Sequence, residues 1–287
     1  MADQSEHEQA LHAAAVRAAA YRRADQDLAF LQRPELRAGR LQLEYLKPEL
    51  MMSEQEIAST IVLFGGTRVV APAEAEQQLE VARQAVADKP GDTKRRRWLQ
   101  VAEQLRELSR YYDVAYELAK RVAQAEVARG RPREFVIMTG GGPGIMEAGN
   151  RGAAESGAPT IGLNIQLPRE QEPNPYITPE LCFQFRYFAL RKLHFLMRAK
   201  ALVAFPGGFG TLDELFDALC LVQTGKMAPI PIILVGRAFW AQALSFEFLA
   251  AQGVVDPEDL DLFVVVDSAE EVWEQICERY DVAHTER

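Results

Sequence analysis

Cysteine and histidine are scarce in this chain, long hydrophobic runs are missing, and positive charge is in deficit. Among 287 residues there are 3 cysteines and 4 histidines. Cys182, Cys220 and Cys277 are far apart and odd in number. They form neither a zinc spacing nor a disulfide framework, which suits a reducing compartment. Of His7, His12, His194 and His284, only the first two lie near each other, in a polar N-terminal stretch, so no metal site is expected. No apolar run approaches the ~20 residues of a membrane-crossing helix, and no apolar signal core opens the chain. A net charge of −9 disfavours non-specific binding to nucleic acid. Together these absences predict a cytoplasmic protein that engages neither membrane nor nucleic acid. What remains is ordinary: 48% hydrophobic and 25% charged residues, in a chain long enough for one large domain or two small ones.

Residues 1–57 read as a helical extension, from the alanine-rich Leu11 to Ala20 to the stretch before Pro48. Residues 58–287 read as the main domain. A β run, Thr60-Ile61-Val62-Leu63-Phe64, ends in Gly65 and Gly66. Residues 73–129 predict one or two long helices with a break at Lys89–Asp92; the basic run Lys94 to Arg97 is a solvated helix face. Further strands are expected at 135–139, 159–165, 202–205, 230–235 and 262–266, and a helix over 184–200. Strands alternating with helices argue for a mainly parallel, doubly wound, Rossmann-like α/β sheet of six or more strands. Continuous apolar runs such as Ile230 to Val235 suit strands covered on both faces.

Two glycine-rich turns, about 65 residues apart, each follow an expected strand and open an expected helix. The first is Gly140-Gly141-Gly142-Pro143-Gly144, followed by Ile145, Met146 and Glu147; the second is Pro206-Gly207-Gly208-Phe209-Gly210-Thr211, followed by Glu214. Backbone N–H groups at a helix start, next to the positive end of its dipole, form an anion site. Neither turn fits the dinucleotide fingerprint or carries a Walker lysine, so a small phosphorylated ligand is expected. All three glycine turns, at 65–66, 140–144 and 207–210, fall at carboxyl ends of strands and should converge on one crevice.

Glu214 is the sharpest candidate for chemistry. Thr211-x-x-Glu214 has the spacing of a capping box, and spacing alone favours that structural role; the alternative is a carboxylate facing the sugar of a nucleotide. Asp213 reads as surface or capping. The expected helix 184–200 carries Arg186, Arg191, Lys192, Arg198 and Lys200, of which at least one should reach an anionic ligand, while Phe188, Leu190, Leu193, Phe195 and Leu196 read as core. Glu147 suits a helix dipole. His194 has no partner in sequence and reads as structure.

These residues resemble the LOG (Lonely Guy) family over about residues 58–280. Pro206 to Glu214 matches its P-G-G-x-G-T-x-x-E signature, Arg191-Lys192 its preceding R-K pair, and Gly140 to Met146 is similar to its first glycine turn. Glu147 stands where compact members usually have glycine, and Phe209 replaces a common tyrosine. The segment Leu163 to Pro168, Asn174-Pro175-Tyr176 and the N-terminal extension resemble a longer bacterial branch. The resemblance implies a homodimeric, cofactor-free hydrolase that cleaves the N-glycosidic bond of a nucleoside 5′-monophosphate, AMP or a cytokinin riboside 5′-monophosphate. It implies Arg191 and Glu214 as catalytic residues. Gly65, Gly141, Gly142, Gly144, Met146, Glu147, Lys192, Gly207, Gly208, Gly210 and Thr211 would bind substrate. The alternatives are a non-catalytic nucleotide or cofactor carrier on the same fold and, following an older family label, a pyridoxal-dependent lysine decarboxylase, for which no cofactor lysine is readable.

Overall fold

Apolar side chains on both faces of every central strand dictate a sheet buried between helices, and that is the arrangement found in the computed structural model. It describes residues 2–127, 133–167 and 172–281; Pro168, His284 and positions 128–129 of the expected long helix lie outside them. The chain forms two compact units, Met1–Lys47 and Pro48–Arg287. In the first, α1 (Ala2–Arg17) and α2 (Leu28–Leu31) precede the start of α3 (Arg37–Glu54). Asp27 caps α2 by accepting from the Phe30 N–H at 3.1 Å. The Arg40 guanidinium donates to the Leu31 and Arg33 carbonyls at 2.6 and 2.7 Å, satisfying acceptors that a helix end leaves open.

The second unit holds seven strands: β1 (Thr60–Phe64), β2 (Val136–Thr139), β3 (Thr160–Ile165), β4 (Cys182–Phe185), β5 (Ala199–Ala204), β6 (Ile232–Val235) and β7 (Val264–Val266). Their order is β4-β3-β2-β1-β5-β6-β7, and every pairing is parallel. Alternate residues feed two cores, as the two-residue period of a strand requires. Ile61, Leu63, Ile137, Val203 and Ile233 pack on one face with Ala115 and Leu118 of α6 (Arg110–Val127) and with Val272 and Ile276 of the helix Ala269–Tyr280. Val62, Phe64, Met138, Leu202 and Leu234 pack on the other with Phe195 of α8 (Phe188–Met197) and with Leu215 and Ala218 of α9 (Phe209–Gln223). Among the described residues, no helix is long and apolar enough to cross a membrane.

Several expected boundaries move, each for a physical reason. The helix expected over 184–200 is three elements: edge strand β4, helix α8 and the start of β5. Phe183 and Phe185 are buried on either side of exposed Gln184, a two-residue alternation too short to stand out in the sequence. Arg186 therefore precedes the helix, Arg198 caps its end and Lys200 lies in β5. The described part of the stretch 73–129 forms three helices, α4 (Pro72–Asp88), α5 (Thr93–Leu108) and α6, with a second break at Ser109, whose hydroxyl donates to the Arg106 carbonyl at 2.7 Å. β6 begins at Ile232 because the Pro231 ring removes a ladder N–H. The stretch before β7 is a 3-10 turn, Pro257–Leu262, so that strand is shorter than expected.

Under the sheet, α6 packs along α7 (Ile145–Glu155). A Cβ on Gly152 of α7 would overlap the Tyr116 carbonyl of α6. In the first unit, Gly39 is in the first turn of α3 with nothing near its Cβ direction. The two positions should therefore respond oppositely to the same change. Gly152→Ala should lose about 1–3 kcal/mol through overpacking, whereas Gly39→Ala should be neutral or gain up to ~1 kcal/mol in helix propensity. Thermal denaturation of the two variants checks the contrast; a neutral Gly152→Ala would contradict the packing described.

Candidate active site

Seven parallel strands connected in this order leave one place where the chain departs to opposite sides: the carboxyl ends of β1 and β5. A crevice must open there. The turns that follow the two strands are laced together, with the Gly66 N–H donating to the Pro206 carbonyl at 2.9 Å and the Phe205 N–H to the Phe64 carbonyl at 2.8 Å. The Ile145 N–H, at the start of α7, donates to the Gly66 carbonyl at 3.3 Å. All three glycine turns thus meet, as their positions at strand ends predict. Gly144 has φ +72° and ψ −130°, and a Cβ there would strike the Gly66 carbonyl. Both facts require glycine.

The cleft between these turns has a volume of about 320 Å³, within the range of small-molecule sites. Of the residues singled out in the sequence, Gly65, Met146, Arg191, Gly208, Gly210, Thr211 and Glu214 line it. Gly141, Gly142, Gly144 and Gly207 shape the turns but are not brought to its surface. Glu147 lies outside the lining, where it accepts a hydrogen bond from Tyr112; burial, and then the nearby Glu74 carboxylate, raise its pKa. Lys192 also lies outside, its Nζ held by the Asp213 carboxylate at 2.7 Å.

Arg191 is mostly buried on α8. Its Nε donates to the Leu163 carbonyl at 2.8 Å, and its guanidinium carbon lies 5.1 Å from the centre of the Phe195 ring. Burial lowers its pKa, opposed by the Glu214 charge, and an arginine remains cationic regardless. Gly140 packs against this guanidinium with no room for a Cβ.

Glu214 does not cap its helix. α9 begins at Phe209 with Gly208 as N-cap and no side-chain cap, so Thr211 is already the third helical residue and Glu214 the sixth. The capping-box spacing belongs to a box that does not form. Glu214 is 7% exposed, lines the cleft and makes no hydrogen bond or ion pair to a described residue. Its pKa is raised to about 7, first by burial; Arg191 and then Lys192 oppose the rise, and Asp213 and Asp217 add to it. The N–H groups of Phe209, Gly210 and Thr211, at the positive end of the same helix, meet no acceptor among the described residues.

Sequence reasoning missed part of the lining. Asn164, Ile165 and Leu167 enter from the end of β3, Thr67 from the turn after β1, and Phe188 from the start of α8. Asn164 was findable, because it closes a strand whose carboxyl end should face the crevice. Phe188 and Leu193, read as core, are 51% and 44% exposed; Phe195 and Leu196 are core as expected. Asp213, read as surface, borders the cleft while holding Lys192. His194 is fully buried, 3.6 Å from Glu49 and beside the Phe185 ring.

The Glu214 environment has a consequence for stability. Its folded pKa, about 7, exceeds its ordinary 4.5, so between those values the native state binds more protons than the unfolded chain. Its contribution is fully present below pH 4.5 and is lost as pH rises through 7. Glu214→Gln, which cannot ionise, should gain on the native protein as pH climbs from 5 to 8, by up to about 3 kcal/mol at ~1.4 kcal/mol per unit. Urea denaturation of both proteins across that range checks it; a difference independent of pH would contradict a buried, titrating Glu214.

The family model described as "possible lysine decarboxylase" matches residues 146–276. The cytokinin riboside 5′-monophosphate phosphoribohydrolase LOG3 of Arabidopsis thaliana is 25% identical over 183 residues, 61% of this chain and 78% of that protein. A probable enzyme of the same name, LOGL3 of Oryza sativa subsp. japonica, is 26% identical over 172 residues, 58% of this chain and 76% of its own. Among solved structures, the molybdenum cofactor carrier protein of Chlamydomonas reinhardtii is 19% identical over 77% of this chain and 98% of that one, with a TM-score of 0.43, a likeness too slight to carry argument. The glycine turns, the Arg191-Lys192 pair, the family model and the curated relatives point the same way, and the chain is similar to the LOG proteins.

Proposed function

We propose that this chain hydrolyses the N-glycosidic bond of a nucleoside 5′-monophosphate, such as AMP or a cytokinin riboside 5′-monophosphate, to free base and ribose 5-phosphate. The observation that carries the reading is Glu214: a buried carboxylate, with no hydrogen bond to any described residue, in the same cleft as an open helix N-terminus. A cap or a structural ion pair leaves no such group. The curated relatives are named for this chemistry.

In this account the 5′-phosphate rests on the N–H groups of Phe209, Gly210 and Thr211, with Gly208 allowing close approach. That places the ribose over Glu214, one helical turn farther along α9. As the C1′–N bond breaks, its electron pair leaves with the base, and positive charge develops on C1′ and the ring oxygen. The Glu214 carboxylate, itself only 7% exposed, stabilises that charge and takes a proton from the water that attacks C1′. The departing base takes a proton from solvent, and Glu214 returns to solvent the one it took from water, so charge and atoms balance. Arg191 makes no direct ion pair with Glu214; it favours the ionised carboxylate through space and keeps its remaining N–H groups for the phosphate or ribose. Lys192, engaged by Asp213, supports α8 and α9 from outside. No cofactor enters this chemistry.

Release of free base is the direct test. AMP should be cleaved and adenosine hardly at all, because the phosphate supplies the anchoring contact. Glu214→Gln should lower turnover by roughly 100-fold or more, as for loss of one preorganised electrostatic contact. Arg191→Ala should also abolish turnover, while Asp213→Asn should be mild. Equal rates on AMP and adenosine would contradict the phosphate account. Tight AMP binding without base release would return the carrier reading to the front.

We also propose that the protein works as a homodimer paired through helices, with exposed Leu193 and Met197 on α8 as apolar contacts. Light scattering at micromolar concentration should give twice the chain mass; a monomer would contradict it.

A further inference from the structure

Asn174 belongs to no strand or helix and to none of the glycine turns, yet it is only 6% exposed. Its backbone N–H donates to the Gly141 carbonyl at 2.9 Å. Its side-chain Nδ2 donates to the Gly142 carbonyl at 3.1 Å and to Asn150 Oδ1 at 2.9 Å. Its Oδ1 accepts from the Tyr176 N–H at 3.2 Å. The network continues inward. The Thr139 hydroxyl donates to Asn150 Oδ1 at 2.7 Å and accepts from the Gly141 N–H at 2.9 Å. Asn150 Nδ2 donates to the Thr160 hydroxyl and the Ile161 carbonyl. Asn150 and Thr160 are fully buried and lie on α7 and β3.

This network is more than a filler of polar valences. A trans peptide unit points its C=O and N–H in opposite directions. Holding the Gly141 carbonyl toward Asn174 therefore turns the Gly142 N–H away from it, and that N–H meets no acceptor among the described residues. Upstream in the same turn, Gly140 packs directly against the Arg191 guanidinium and the Met146 sulfur. The other sides of that guanidinium are the Leu163 carbonyl and the Phe195 ring. The first glycine turn is thus one wall of the slot that holds Arg191, and Asn174 grips two consecutive carbonyls of that wall.

We propose that Asn174 is a positioning residue: with its backbone N–H on the Gly141 carbonyl and its side-chain Nδ2 on the Gly142 carbonyl and Asn150, it sets the first glycine turn, and through Gly140 the placement of Arg191 in the cleft; the side-chain bonds are the part that substitution removes. Its effect on turnover rests on the nucleotide-hydrolysis reading; its effect on the turn does not. Asparagine suits the task because Nδ2 faces two oxygens while Oδ1 faces an N–H. Aspartate would keep the shape but set oxygen against oxygen.

The test uses Asn174→Ala and Asn174→Asp in the full chain, with Val272→Ala, outside this hydrogen-bond network, as a control for general destabilisation. Amide hydrogen exchange is followed by mass spectrometry, and AMP hydrolysis is measured well below the melting temperatures. Both Asn174 variants should speed exchange across 140–146 relative to 207–211. Both should raise KM for AMP by about 10-fold or more, the scale of one lost buried hydrogen bond or a small misplacement, with a smaller change in kcat. Val272→Ala should move neither. Unchanged exchange in 140–146, or effects matched by Val272→Ala, would overturn the proposal. So would a near-normal Asn174→Asp, since that result makes the side chain a space filler. Faster exchange in 140–146 with no hydrolysis by any protein, native included, would uphold the grip on the turn and remove the hydrolase reading alone.

Discussion

The hydrogen-bonded seam between β1 and β5 is where the chain changes sides across the sheet. Right-handed crossovers carry it from β1 outward through β2, β3 and β4, then back past β1 to β5. The turns after these two strands must diverge, and the space they leave is the cleft. The lacing of Gly66 to Pro206, and of Ile145 to Gly66, keeps that space from drifting. Without this seam, the glycine turns would be separate surface loops, and Arg191 and Glu214, on different helices, would have no common frame.

Electrostatics within that frame is divided between two neighbouring pairs. Arg191 and Lys192 are adjacent on α8, and Asp213 and Glu214 are adjacent on α9. The outer members, Lys192 and Asp213, close a partly exposed salt bridge at 2.7 Å, and such bridges contribute little to stability. The inner members stay apart, so each retains bonding capacity for a ligand. A buried carboxylate without a partner is unfavourable for folding, which is why the pKa of Glu214 sits near 7. A fold that keeps such a group at a ligand cleft points to use rather than to structure.

Much of this was legible in the sequence, because it rests on local rules. Continuous apolar runs marked β1, β2, β3, β5 and β6, and glycines at their ends marked the crevice. What escaped depends on contacts between distant segments. β4 is four residues long, and its two buried phenylalanines read equally well as helix. The capping-box spacing at Thr211 misled because the N-cap is Gly208, three residues earlier, a boundary set by the turn rather than by propensity. Asn164 and Phe188 reach the cleft only because β3 and α8 end or begin at its rim. Asn174 carries little local signal beyond its bond to the Tyr176 N–H: the partners that tie it to the first glycine turn and α7 lie 24 to 33 residues away in sequence.

The central claim is that the cleft breaks a glycosidic bond with water. Proton NMR of AMP incubated with the purified protein in phosphate-free buffer observes that bond directly through the ribose H1′ signal. The account predicts that the H1′ resonance of AMP decays while the anomeric signals of ribose 5-phosphate and the signals of free adenine grow in equal amounts. Broadened or shifted AMP resonances whose integrals stay constant would show binding without hydrolysis and would contradict it.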